Sequence, residues 1–125
     1  MENRLQFDVQ EDTGCFIYPG KRFFPVADEL DELLDTHQSG DISEKHYITR
    51  LEHLIAREPM FIDSHAHLSF AFYRQGKPKK ALNAALAGVE IGERLIPEEF
   101  HGVIEWGYLE NRPFLRALQG LKRNL

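Results

Sequence analysis

The residues with the greatest chemical potential lie in one short run, Met60-Phe61-Ile62-Asp63-Ser64-His65-Ala66-His67-Leu68. On a strand, two imidazoles separated by one residue share a face, and both can then reach one metal ion. On a helix, the same step turns them about 200° apart, so no single ion can be shared. Glu98 and His101 form one Glu-x-x-His pair, and Glu105 follows His101 by one turn. A di-iron bundle needs two such motifs and two further carboxylates, and no second motif occurs. His46 and His53 stand two turns apart, too far for joint ligation. Cys15 has no histidine tied to it by spacing. Ser64 lacks the flanking glycines of a nucleophile elbow. Neither a phosphate-binding loop nor a dinucleotide fingerprint is found. The His65/His67 pair is therefore the one catalytic candidate.

The elements that must position these residues read as helices. Leu68, Phe72 and Tyr73 recur at helical intervals, and so do Ala81, Leu82, Ala85, Leu86 and Val89. Between the two sets lies Gly76-Lys77-Pro78. Glycine can end a helix in the left-handed conformation, and proline suits the first turn of the next. The spacing thus predicts an antiparallel hairpin over residues 59–96. A second hairpin is predicted over 25–58. Its first helix runs from Pro25 to Thr36 on Val26, Leu30, Leu33 and Leu34. Its second, opened by Asp41 with Glu44 three residues on, runs to Arg57 on Ile42, Tyr47, Leu51, Leu54 and Ile55. Two further helices are expected over 97–125. One opens at Pro97-Glu98-Glu99, with Phe100, Val103 and Ile104 as its face. The other opens at Asn111-Arg112-Pro113, with Phe114, Leu115, Leu118 and Leu121. Residues 1–24 lack helical period and carry turn signals at Thr13-Gly14 and Pro19-Gly20. They read as an irregular arm that docks Phe16, Tyr18, Phe23 and Phe24 on the helices, with a small hairpin as the alternative.

The central hairpin resembles one tetratricopeptide repeat, a helix-turn-helix unit of about 34 residues. With Ala81 at the family's small position, Leu68, Phe72 and Gly76 fall at its Leu, aromatic and turn-Gly positions, and Ala85 in the next core register. His65 stands for the usual Trp, Ser69 for the small Gly and Gly88 for the last Ala, and Pro97 closes the unit about four residues late. In the first hairpin Tyr47 occupies a position that is usually small. The resemblance implies an all-α, tetratricopeptide-like superhelix with an irregular N-terminal arm. It also implies a groove lined by Asp63, Ala66, Phe70, Tyr73 and Arg74. Aromatic residues with arginine suit the energetic centre of a protein interface. Ala66 and Phe70 stand where chaperone-tail-binding members carry a Lys/Asn carboxylate clamp, so that ligand class is not implied.

The His-x-His run resembles the opening of metal-dependent hydrolases of the amidohydrolase type, which would make His65 and His67 metal ligands. That fold is a barrel of about 250 residues, and only 58 residues follow His67 here. The bland reading places His65 in the repeat's aromatic slot and turns His67 outward.

Composition bounds the rest. The chain has 125 residues, 42% apolar and 28% charged, which fits one ordinary globular domain. No run of about 18 apolar residues suggests a membrane span. The single cysteine excludes an internal disulfide and fits a reducing compartment, so a cytoplasmic protein is expected. Residues 1–62 carry 6 basic against 13 acidic side chains, and residues 63–125 carry 9 against 7. An acidic first half opposes broad nucleic-acid binding. The acidic face Asp28, Glu29, Asp31, Glu32 and Asp35 could steer a basic partner, or could simply be solvated.

The expectation is a non-catalytic protein–protein interaction module without cofactor, metal, membrane or nucleic-acid partner. It would bind a peptide or helix through Asp63, Phe70, Tyr73 and Arg74. The alternatives are a small hydrolase built on His65 and His67, and a protein that self-associates through the C-terminal helix and its Leu118 and Leu121.

Overall fold

The computed structural model describes residues 3–125. Among them the chain is mostly helical: five α-helices follow a small two-stranded antiparallel sheet. The elements are β1 (Gln6–Gln10), β2 (Thr13–Ile17), α1 (Gly20–Gln38), α2 (Glu44–Arg57), α3 (Ile62–Arg74), α4 (Pro78–Glu93) and α5 (Arg112–Arg123), the last preceded by a 3-10 turn, Leu109–Asn111. No helix is long and apolar enough to cross a membrane among the described residues.

Two expectations are corrected. The segment 1–24, of which Met1 and Glu2 lie outside the described residues, is not an irregular arm. Residues 6–17 form a hairpin, with Phe7 opposite Phe16 and Asp8 opposite Cys15. Its turn is Glu11-Asp12, with Glu11 at φ 56°, and not Thr13-Gly14. Gly14 lies inside β2 because a Cβ there would stand 2.0 Å from the Phe7 ring. Nor does a helix start at Pro97. Residues 97–108 are irregular and lie along the hairpin, where Val103 bridges Thr13 in parallel. The Val103 amide donates to the Asp12 carbonyl at 2.7 Å, and the Gly14 amide donates to the Val103 carbonyl at 2.9 Å.

A two-stranded hairpin is marginal alone, and packing on the helices explains why this one persists. The rings of Phe100, Phe7, Phe16 and Phe114 form a chain of contacts 4.9–5.3 Å apart, from the irregular segment through the sheet to α5. Asn111, fully buried, closes the outer edge of β2. Its Oδ1 accepts from the Phe16 amide at 3.0 Å, and its Nδ2 donates to the Gly14 and Glu105 carbonyls, each at 3.1 Å.

The helices bury one stripe each, as their periodicity requires. α1 begins at Gly20, five residues before the expected Pro25, and so holds Pro25 inside it. Proline lacks the amide that would reach the Lys21 carbonyl. Both residues are exposed, so water can serve that carbonyl. α2 is capped by Ser43, whose Oγ accepts from the His46 amide at 3.1 Å. Glu44, expected to complete a capping box, instead accepts from His37 of α1 (2.6 Å) and Arg74 of α3 (2.9 Å). Gly76 has φ 71° and Pro78 opens α4, as the turn sequence requires.

Side-chain pairs set the helix directions. Arg22 meets Glu58 at one end of the α1–α2 pair, and His37 meets Glu44 at the other, so the two run antiparallel. Glu44, at the start of α2, meets Arg74, at the end of α3, so these are antiparallel too. Asp63 meets Arg116, and Phe70 and Tyr73 meet Arg123, seven residues further along each helix. α1, α3 and α5 therefore share one direction, with α2 and α4 opposed.

Small residues bring α3, α4 and α5 together. A Cβ at Gly92 would lie 2.3 Å from the Phe114 ring, and one at Gly120 would lie 2.9 Å from the Ser69 Oγ. Ser69 itself donates to the Ala81 carbonyl at 2.7 Å, tying α3 to α4 while leaving no buried hydroxyl unpaired there.

Candidate functional site

The expected groove residues part company in the structure. Asp63 is buried: its carboxylate accepts two bonds from the Arg116 guanidinium, both 2.9 Å, and stands 3.5 Å from His67 Nε2. Ala66 is fully buried. Arg74 turns toward α2, where Glu44 holds it through Nε and Nη2. Phe70 and Tyr73 turn toward α5. Tyr73 is 47% exposed, and the Arg123 guanidinium lies 5.0 Å from its ring and 5.8 Å from that of Phe70. The structure thus brings together Phe70 and Tyr73, but not all four expected residues.

Sequence reasoning missed the α5 side of this face. Arg112, Arg116, Gln119 and Arg123 are spaced i, i+4, i+7 and i+11, which places them on one helical stripe. Arg112 lies 4.8 Å from the Trp106 ring and donates to the Trp106 carbonyl at 2.9 Å. Arg116 lies 5.6 Å from the same ring. Trp106 is 46% exposed. Only Arg116 is neutralised. Arg112 and Arg123 pair with no carboxylate among the described residues. The signal for this stripe was the arginine spacing itself, within a helix read mainly for its leucines.

This face sets two arginines against exposed aromatic rings. A guanidinium over an aromatic ring is held flat and partly stripped of water, which suits it to a carboxylate. Neither Ser64 nor Cys15 is held as an activated nucleophile. The Ser64 Oγ is buried and bonded to nothing, so no base reaches it. Burial raises the Cys15 thiol, and the charges of Glu110 and Asp8 raise it further, which opposes thiolate formation. That thiol lines an opening of about 450 Å³ with Asp8, Gln10, Glu11, Thr13 and Tyr108.

His65 and His67 both lie on α3 and diverge. His65 Nε2 is 2.8 Å from the Pro59 carbonyl, and so carries the proton that this carbonyl accepts. His67 faces Asp63 and meets Phe70 edge to face at 5.9 Å. Among the described residues no three His, Cys, Asp or Glu side chains converge as a metal shell would.

The buried charges make stability depend on pH. Burial opposes ionisation of Asp63, but the His67 and Arg116 bonds outweigh it and hold the carboxyl below its ordinary range. The Arg22 bond does the same for Glu58, against a smaller effect of burial. Burial lowers His65, only partly offset by the Pro59 bond. The unfolded chain therefore takes up protons before the folded one at all three positions. The His65 contribution is complete above a pH of about 6.5 and declines below it, whereas the carboxylate contributions decline below a pH of about 4. Urea midpoints measured from a pH of about 7 down to about 3 should fall in two stages, the first absent in His65→Gln. A first stage that survives in His65→Gln would place that proton on another group.

No family model matches this chain, and neither a curated protein nor a solved structure matches it.

Proposed function

We propose that this chain is a non-catalytic interaction module of tetratricopeptide-like design, which takes a peptide or helix of a protein partner against α3 and α5. The shared direction of α1, α3 and α5, with α2 and α4 opposed, supports the repeat-like reading, because stacked helical hairpins place their first helices side by side. One observation carries the binding reading: Arg123, without a carboxylate of its own among the described residues, lies over the half-exposed Tyr73 ring and beside Phe70. An incoming carboxylate would gain a charge-assisted bond there, and apolar side chains would cover Tyr73. Asp63 contributes by fixing Arg116, and hence α5, rather than by touching the partner.

The test is affinity capture followed by titration of the purified partner. Tyr73→Ala/Arg123→Ala should weaken binding at least about tenfold, equivalent to about 1.4 kcal/mol, while the helical circular dichroism stays unchanged. A partner held equally by the folded variant would move the site elsewhere and overturn this assignment.

A further inference from the structure

The acidic face of α1 has the same spacing as the arginine stripe of α5. Phe24, Asp28, Asp31 and Asp35 stand at i, i+4, i+7 and i+11, the intervals of Arg112, Arg116, Gln119 and Arg123. Each stripe spans about 16 Å of helix. Phe24 is 65% exposed, the three aspartates are exposed, and none of the three forms an ion pair among the described residues. α1 rests on α2 and α5 on α3 and α4, so the two stripes belong to different ends of the helix series.

We infer that the α5 face receives α1 of a second copy of this chain, the two helices running parallel. The inference rests on the reading of that face as a docking surface, and it names the partner. Parallel alignment sets Phe24 against Arg112 and Trp106, Asp28 against Arg116, Asp31 against Gln119 and Asp35 against Arg123. An apolar ring meets the exposed indole, and each carboxylate meets a guanidinium or an amide donor. Parallel docking also continues the common direction of α1, α3 and α5 from one copy into the next. The interface is heterologous, because the surface that gives differs from the surface that receives. Each added copy presents a fresh α5 stripe, so assembly grows beyond a dimer unless the rotation closes a ring. Charge complementarity of this kind governs register and selects against mismatched partners.

Sedimentation velocity of the full chain tests this. At low salt the mean mass should exceed 14.5 kDa and rise with concentration, and it should fall toward that value as salt screens the pairs. Arg123→Glu and Asp35→Lys should each weaken assembly at least about tenfold. The two changes in one chain should restore it, because the pair is then reversed. Antiparallel docking would set Asp35 against Arg112, so failure of the double variant to recover would overturn the parallel register. A wild-type chain that stays at monomer mass at every concentration overturns the proposal. A fluorescein-labelled oligoglutamate peptide separates that failure from failure of the face itself. Binding of the peptide by a monomeric wild type, lost in Tyr73→Ala/Arg123→Ala, overturns only the second copy as occupant. Monomer mass without peptide binding overturns both.

Discussion

Asn111→Ala should destabilise the native state by about 3–5 kcal/mol, the sum of three backbone bonds lost at a site closed to water. Asn111 serves the Phe16 amide and the Gly14 and Glu105 carbonyls at once. Alanine leaves all three without a side-chain partner at a position that is fully buried. The loss is local first. Trp106, the only tryptophan, lies in the segment that Asn111 pins to the sheet. Its fluorescence should therefore change at lower urea than the helical circular dichroism in Asn111→Ala, while the two transitions coincide in wild type. Asn111→Asp should cost at least as much, because it keeps an acceptor for Phe16 but sets a buried carboxylate oxygen against the Gly14 and Glu105 carbonyls. A loss below about 1 kcal/mol in Asn111→Ala would mean that the hairpin is held by its aromatic contacts and the Val103 bridge.

Gly92→Val carries the second large effect, about 3 kcal/mol, at the upper end of ordinary overpacking costs. The Cβ alone would fall 2.3 Å from Phe114 Cδ1 and 2.5 Å from its Cε1. Phe114 cannot retreat, since its ring lies 5.1 Å from that of Phe16 and is itself buried. Relief must come from a shift of α5, which would also disturb the Arg116–Asp63 pair. The two positions should therefore be strongly coupled. Phe114→Ala alone should cost about 3–5 kcal/mol through its cavity, and the double variant should cost at least about 1 kcal/mol less than the sum. Additive effects in chemical denaturation would show that α5 yields freely.

The helical part of this architecture was legible because its signals are local. Gly76-Lys77-Pro78 carries both halves of a helix–helix turn, and the apolar stripes of α2, α3 and α4 are long enough to show their period. The hairpin was legible only as the alternative to an arm. Its turn residues, Glu11-Asp12, lack the glycine or asparagine that announces a two-residue loop, and Glu11 adopts its positive φ without such a cue. Thr13-Gly14 imitates a turn, yet Gly14 is small to admit Phe7. Phe100, Val103 and Ile104 imitate a helical face, but Phe100 serves the Phe7 ring and Val103 serves β2 through its backbone. Only tertiary contact decides such cases.

The site was half legible for a similar reason. A single helix shows that Phe70 and Tyr73 share a face. It does not show that Arg116 will cover Asp63, that Glu44 will claim Arg74, or that Arg123 will arrive over Tyr73. The first and last depend on a helix that begins 38 residues after α3 ends, and the second on the start of α2, before α3.

The attachment of segment 103–111 to β2 has a consequence for the order of events during synthesis. The hairpin is translated before its partners, and its edge finds them nearly a hundred residues later, Phe16 with Asn111 and Gly14 with Val103. Pairings this distant in sequence slow folding, because loop closure precedes the reward. On a ribosome adding about 5–20 residues per second, the β2 edge stays open for several seconds while α2, α3 and α4 emerge and pack by local contacts. During that interval the nascent chain exposes Phe7, Phe16 and a strand edge able to pair with another chain. A factor that shields residues 6–17 as they emerge should raise the folded yield more than one acting on the finished protein.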